Sequence, residues 1–111
     1  EDVELTTSHT PLFAHLNPDW CTGMFFYPLP NWMKPALGQQ HIIDWMSLAN
    51  AKVAHLHSSL LESEFVARLH DGGFGVHGSN LNTADDMRKG IAAGIDQFST
   101  DQLELANRLR A

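Results

Sequence analysis

The stretch QQHIIDWMSLANAKVAHL, Gln39 to Leu56, carries the clearest periodicity in the chain. Ile42, Met46, Ala49, Val53 and Leu56 fall at i, i+4, i+7, i+11 and i+14. That spacing gathers side chains on one face of an α-helix and predicts one helix from Gln39 to about Leu56. Toward the C-terminus, Ser58-Ser59 breaks it. Ser59-x-x-Glu62 reads as a capping box for a second helix with Leu61, Phe65 and Leu69 as its stripe. Asp71-Gly72-Gly73 stops that helix, and a glycine-rich loop runs to about Asn82. Thr83-x-x-Asp86 caps a third helix, with Met87, Ile91, Ile95 and Phe98 on one face. Ser99-x-x-Gln102 caps a last one, whose Leu103, Ala106 and Leu109 face inward. Toward the N-terminus, Pro28, Pro30 and Pro35 forbid a continuous helix and leave an extended segment around Trp20, Phe25, Phe26 and Trp32. Thr10-Pro11 opens a short helix ended by Asn17-Pro18, and residues 1–9 read as a loose segment. No strand alternation and no tandem repeat is read. The expected class is all-α, with residues 10–111 as one domain of about four to five helices.

The 111 residues suffice for one domain. Seven Lys+Arg against thirteen Asp+Glu give a net charge of −6, which argues against a nucleic-acid backbone or an anionic membrane surface as partner. Charged residues make up only 18%, while apolar residues reach 43% with six Phe, three Trp and four Met. A chain so lightly charged is expected to cover apolar surface with a partner or ligand. The single cysteine, Cys21, excludes an internal disulfide and a cysteine metal cluster. No apolar run is long enough to form a transmembrane segment. The start at Glu1 without Met reads as a processed product.

Among seven histidines, none pair at the helical i, i+4 zinc spacing. His55 and His57, placed on a helix, diverge by roughly 200° and read as solvated or capping residues. His70, at a helix end before Gly72-Gly73, reads as a partner of the C-terminal dipole or as an axial ligand beside a pocket. The loop Gly72–Gly78 lacks a phosphate-binding pattern and reads as a turn or as a close approach to a flat ligand. Asp85-Asp86 reads as a helix start.

Several stretches in order resemble one family, the water-soluble peridinin–chlorophyll a proteins of dinoflagellates. Pro11–Trp20 resembles the end of that family's first helix, Cys21-Thr-Gly-Met-Phe25 the segment after it, and Ile43-Asp44 a pair in the next helix. Ser59–His70 resembles a short helix ending in Ala-His-His, and Leu81–Asp86 and Ala92-Ala93 resemble later landmarks. Asp71 stands where the family has a second His, and Ile91 where it has Asn. The resemblance implies a half-length, divergent member folded around a pigment cavity, with chlorophyll a and peridinin as cofactors. It places the chlorophyll magnesium on His70, through a water, and the pigment lining on Phe13, Trp20, Phe25, Met46, Phe65, Met87 and Ile91. It further implies passive light harvesting without turnover, a homodimer or a subunit docked on a photosystem, and a place in the chloroplast thylakoid lumen. The competing readings are a helical interaction subunit without pigment and a small histidine enzyme or metal carrier.

Overall fold

The computed structural model describes residues 4–6, 21–26, 28–30 and 32–110. Among the described residues ten elements follow one another: β1 (Glu4–Thr6), β2 (Cys21–Phe26), α1 (Pro35–Leu48), β3 (Val53–His57), a 3-10 turn (Ser58–Leu60), α2 (Ser63–Asp71), β4 (Gly75–Ser79), α3 (Ala84–Ala93), β5 (Gln97–Phe98) and α4 (Leu103–Arg110). The five strands form one sheet in chain order, every pair parallel. The expected all-α class is therefore wrong: the protein is α/β.

The opening stretch shows why. Its first half is helical, but the helix ends at Leu48. Asn50 takes the left-handed conformation at φ 53. Its N–H donates to the Ser47 carbonyl, and the Ala51 N–H donates to the Met46 carbonyl. This is a Schellman termination, one of the few places where a non-glycine residue enters the left-handed region cheaply. Val53–His57 then runs as a strand, in which Ala54 and Leu56 are buried on one face. The apolar period had merely continued by coincidence across two elements. The same ending recurs at Gly73 (φ 85), with Gly73 and Phe74 N–H groups on the His70 and Leu69 carbonyls, and at Gly94 (φ 87).

Other signals hold or shift. Pro35 opens α1 at its first turn. Thr83 caps α3, accepting the Asp86 N–H at 3.1 Å. The expected Ser59 cap does not form: α2 starts at Ser63 after Glu62, without a side-chain cap. The extended segment after Trp20 is in part β2. The expected short helix Thr10–Pro18 lies outside the described residues, and of the expected loose segment 1–9 only Glu4–Thr6 are described, as β1.

A strand order that follows the chain without reversal keeps winding one way. With right-handed crossovers, every helix then packs on the same side, as in a barrel arc rather than a doubly wound sheet. Burial agrees. Ala54, Leu56, Val76 and Gly78 are buried beneath the helices, with Phe65, Leu69, Met46, Met87 and Leu81 above them. The opposite face carries Phe25, His55, His77 and Gln97 in one register row. Among the described residues, no helix is long and apolar enough to cross a membrane.

Candidate functional site

Parallel strands alternating with helices gather their variable loops at the strand C-terminal ends, where such sheets place chemistry. Here β2 ends in Phe25 and Phe26, β3 delivers His57 and Ser58, and β4 delivers Ser79 and Asn80. With Asp86 from the first turn of α3, these residues line a cleft of about 330 Å³. A larger cavity, about 450 Å³, lies between α3, β5 and α4 and is walled largely by Ile91, Ile95, Phe98, Leu103, Ala106 and Leu109. Asp96, Gln97, Thr100 and Asn107 also line it, but it opens between the edge strand and two helices rather than where several strand ends converge, so the smaller cleft is the candidate site.

Local structure fixes the cleft's side chains. His57 caps the 3-10 turn: its Nδ1 accepts the Ser59 N–H at 3.1 Å and lies 2.9 Å from the Ser59 hydroxyl. With Nδ1 committed as acceptor, the neutral ring carries its proton on Nε2. Ser79 stands opposite His57 in the parallel register. Its hydroxyl is buried and has no hydrogen-bond partner. Asn80 adopts a left-handed φ of 54. Its N–H donates to the Ser99 hydroxyl at 2.9 Å, while the Ser99 N–H donates to the Gly78 carbonyl and the Leu81 N–H to the Ser99 carbonyl. Asn82 then accepts the Asp101 N–H and the Thr100 hydroxyl. The loop after β4 is thus tied to the end of β5 before any ligand arrives. Asp86 sits in the positive field of the α3 N-terminus. Among the described residues, no Lys or Arg lines the cleft.

Beneath the cleft an aromatic ladder crosses the sheet. Phe25 and His55 have ring centroids 5.1 Å apart, and His55 and His77 lie 4.4 Å apart at 31°. The sequence reading of His55 and His57 on a helix is corrected: on a strand, residues two apart share a face. His55 is buried rather than solvated, while His57 does cap.

Of the residues expected to hold pigment, those the structure describes do not meet around one cavity. Phe13 and Trp20 lie outside the described residues. Met46, Phe65 and Met87 are fully buried in the apolar core. Ile91 is 44% exposed on the outer layer, and only Phe25 lines the cleft. His70 sits at the opposite, strand-start end. Its Nε2 lies 2.8 Å from Asp96 Oδ2, which also accepts the Val76 N–H at 2.8 Å. One imidazole nitrogen of His70 is thus engaged in tying α2 to β4 and β5. Burial opposes ionisation of Asp96, but the hydrogen bonds from His70 and Val76, with the His70 charge, outweigh it and set its pKa below the ordinary value. Among the described residues no cluster of three or more His, Cys, Asp or Glu could hold a metal ion.

Sequence reasoning missed Ser58, Ser79, Asn80 and the site role of Asp86. The available signal was spacing: β3, β4 and β5 begin at Val53, Gly75 and Gln97, twenty-two residues apart each time.

No protein-family model matches the sequence, and no curated protein matches it. Solved structures do. A protein from Silicibacter pomeroyi, provisionally designated a glycerophosphoryl diester phosphodiesterase, superposes with a TM-score of 0.78 at 20% identity, over 96% of this chain and 37% of its own. A Galdieria sulphuraria protein with the same kind of provisional designation gives 0.75 at 17% identity, over 98% and 44%. An Oleispira antarctica phosphodiesterase, solved with the product sn-glycerol-3-phosphate, gives 0.69 at 16% identity, over 100% and 44%. The chain spans less than half the length of each. The fold is that of these phosphodiesterase structures. Resemblance to peridinin–chlorophyll proteins is overturned, and with it chlorophyll a, peridinin and light harvesting. The expectation of a protein without turnover is corrected as well, since the fold neighbours are enzymes.

Proposed function

We propose that this chain supplies one wall of a phosphodiester-cleaving site in a parallel βα barrel. The observation that carries the reading is the convergence of His57, Ser58, Ser79, Asn80 and Asp86 at the C-terminal ends of neighbouring strands, on a scaffold shared with phosphodiesterases. An eight-stranded barrel needs three strands beyond the five described here. The proposal therefore concerns the site once those strands are in place.

In this reading the Ser79 hydroxyl and the Asn80 amide offer neutral donors to phosphoryl oxygens. Neutral donors suit a monoanionic diester. As water adds to phosphorus and the ester P–O bond breaks, the proton the water gives up passes to the departing oxygen, toward which the His57 Nε2–H donates a hydrogen bond. The aromatic ladder of Phe25 and His55 forms an apolar floor that limits water at the reacting phosphorus.

The test is hydrolysis of a glycerophosphodiester by the whole protein that carries this chain, read as release of glycerol phosphate. His57→Ala is expected to lower kcat by about 10²–10³-fold with the circular dichroism spectrum kept. Full activity in that variant, or no cleavage of any phosphodiester by the native protein, overturns the proposal.

A further inference from the structure

The turn that follows β3 is anchored from below. Leu60 and Leu61 are buried in the core. The Leu61 N–H donates to the Ser58 carbonyl at 3.2 Å, and Glu62 accepts the Gln39 side-chain amide at 3.1 Å. Ser59 therefore has a fixed place beside the last residue of β3. Two of its groups meet one ring nitrogen of His57. The Ser59 N–H donates to Nδ1 at 3.1 Å, and the Ser59 hydroxyl oxygen lies 2.9 Å from the same atom. With Nδ1 bare, both groups donate toward it. With the proton on Nδ1, the hydroxyl accepts and the Ser59 N–H loses its acceptor. Two donors against one favour the bare Nδ1 and put the proton on Nε2. The two nitrogens lie on opposite sides of the ring, so Nε2 faces away from the turn, and His57 lines the cleft.

Capping alone does not call for an imidazole. The position before a helical turn is filled best by Ser, Thr, Asp or Asn, whose side chain ends at the atom that accepts. Histidine adds a second nitrogen beyond the capping one. Both His57 and Ser59 are exposed. An exposed ring held by no fixed partner samples several rotamers, and each one away from the cleft is lost to the reaction. Two donors on one atom, carried by a turn whose leucines are buried, narrow that choice to one orientation. We propose that Ser59 is a positioning residue: it locks His57 with Nδ1 on the turn, the proton on Nε2, and that edge of the ring toward the cleft. The use of this lock in turnover rests on the phosphodiester reading of the cleft, whereas the position of the proton does not. Ser79 stands opposite His57 across the β3–β4 pair. The lock therefore holds the Nε2–H on the side of the cleft where the Ser79 hydroxyl, buried and without a partner, is available to a ligand.

Nitrogen-15 resonances of the histidine rings, recorded on the whole protein in mildly alkaline buffer, test the proposal. The His57 signals are those missing from His57→Asn, a variant that keeps a capping acceptor and is expected to keep the melting temperature while losing turnover. Native His57 is expected to carry its proton on Nε2, with Nδ1 bare and hydrogen-bonded. Ser59→Ala is expected to move the Nδ1 signal toward that of an unbonded nitrogen and to lower kcat about two- to tenfold at unchanged KM. Ser59→Thr, which keeps the hydroxyl, is expected to restore both. In a His57→Ala background Ser59→Ala is expected to add nothing to the loss of kcat, because it acts through that ring. A native ring protonated on Nδ1 overturns the proposal. So does native kcat in Ser59→Ala, or a loss that persists undiminished without His57. A native protein that cleaves no phosphodiester, yet shows a bare Nδ1 whose signal depends on Ser59, supports the lock and removes the phosphodiester reading.

Discussion

At the scale of single residues, Asp96 and Ser79 make opposite cases. Asp96 is half-exposed, yet it accepts from both His70 and Val76. Its folded-state pKa lies below the ordinary value of 3.8, so folding is favoured at pH above that value. The contribution fades as pH falls through it toward the lower folded-state pKa. Solvent screening keeps the effect small, well under about 1 kcal/mol. Asp96→Asn is therefore expected to lower the urea midpoint modestly at neutral pH and to match the native protein in acid. A constant gap across pH would contradict this. Ser79 instead presents a buried hydroxyl with no partner. Ser79→Ala removes that unmet group, so the melting temperature should hold or rise, worth up to about 1 kcal/mol. Turnover should fall if the hydroxyl binds the phosphoryl group. Loss of stability with unchanged kinetics would make it a packing residue.

At the scale of elements, the Thr83 cap and the Gly72-Gly73 stop were legible, while the ends of α1 and α3 decided the fold. The apolar spacing of α1, the stripe of α2 and the Thr83 cap could be read directly from the sequence, because each depends on residues close in the chain. The strands could not. β3 places His55 and His57 where an alternating pattern would show an apolar inner row, and β4 is Gly75-Val-His-Gly-Ser79. Their partners lie a full βα unit away, so no local preference announces them. What did announce them was the left-handed residue two or three positions before each strand: Asn50, Gly73 and Gly94. This role predicts the effect of substitution. Asn50→Gly should be neutral or mildly stabilising, and Asn50→Val should cost about 1–2 kcal/mol, measured as shifts in the urea midpoint. Equal midpoints for the two variants would mean that the termination does not set the strand. The site was illegible for the same reason as the sheet. Its residues come from three strand ends and a helix start, and only the parallel register places Ser79 opposite His57.

At the scale of the whole molecule, the five-stranded arc has two edges, β1 and β5, and an inner face where Phe25 is 48% exposed. A closed barrel has neither an edge nor an exposed inner row, since closure pairs every strand on both sides. The neighbours that share this fold are more than twice as long as the stretch they match. Protection from hydrogen exchange should therefore be uneven in the 111-residue span by itself. Amides of β3 and β4, paired on both sides, should exchange slowly. Those of Gln97 and Phe98 in β5, paired on one side, should exchange far faster. Adding strands that close the sheet should slow β5 to the rate of β3 and bury Phe25, seen as loss of binding by an apolar dye. Equal protection of β3 and β5 in the isolated span would mean that the arc is already closed by another route. The cleft would then have to be complete without further strands, and the search for the rest of its chemistry would return to the residues on these five.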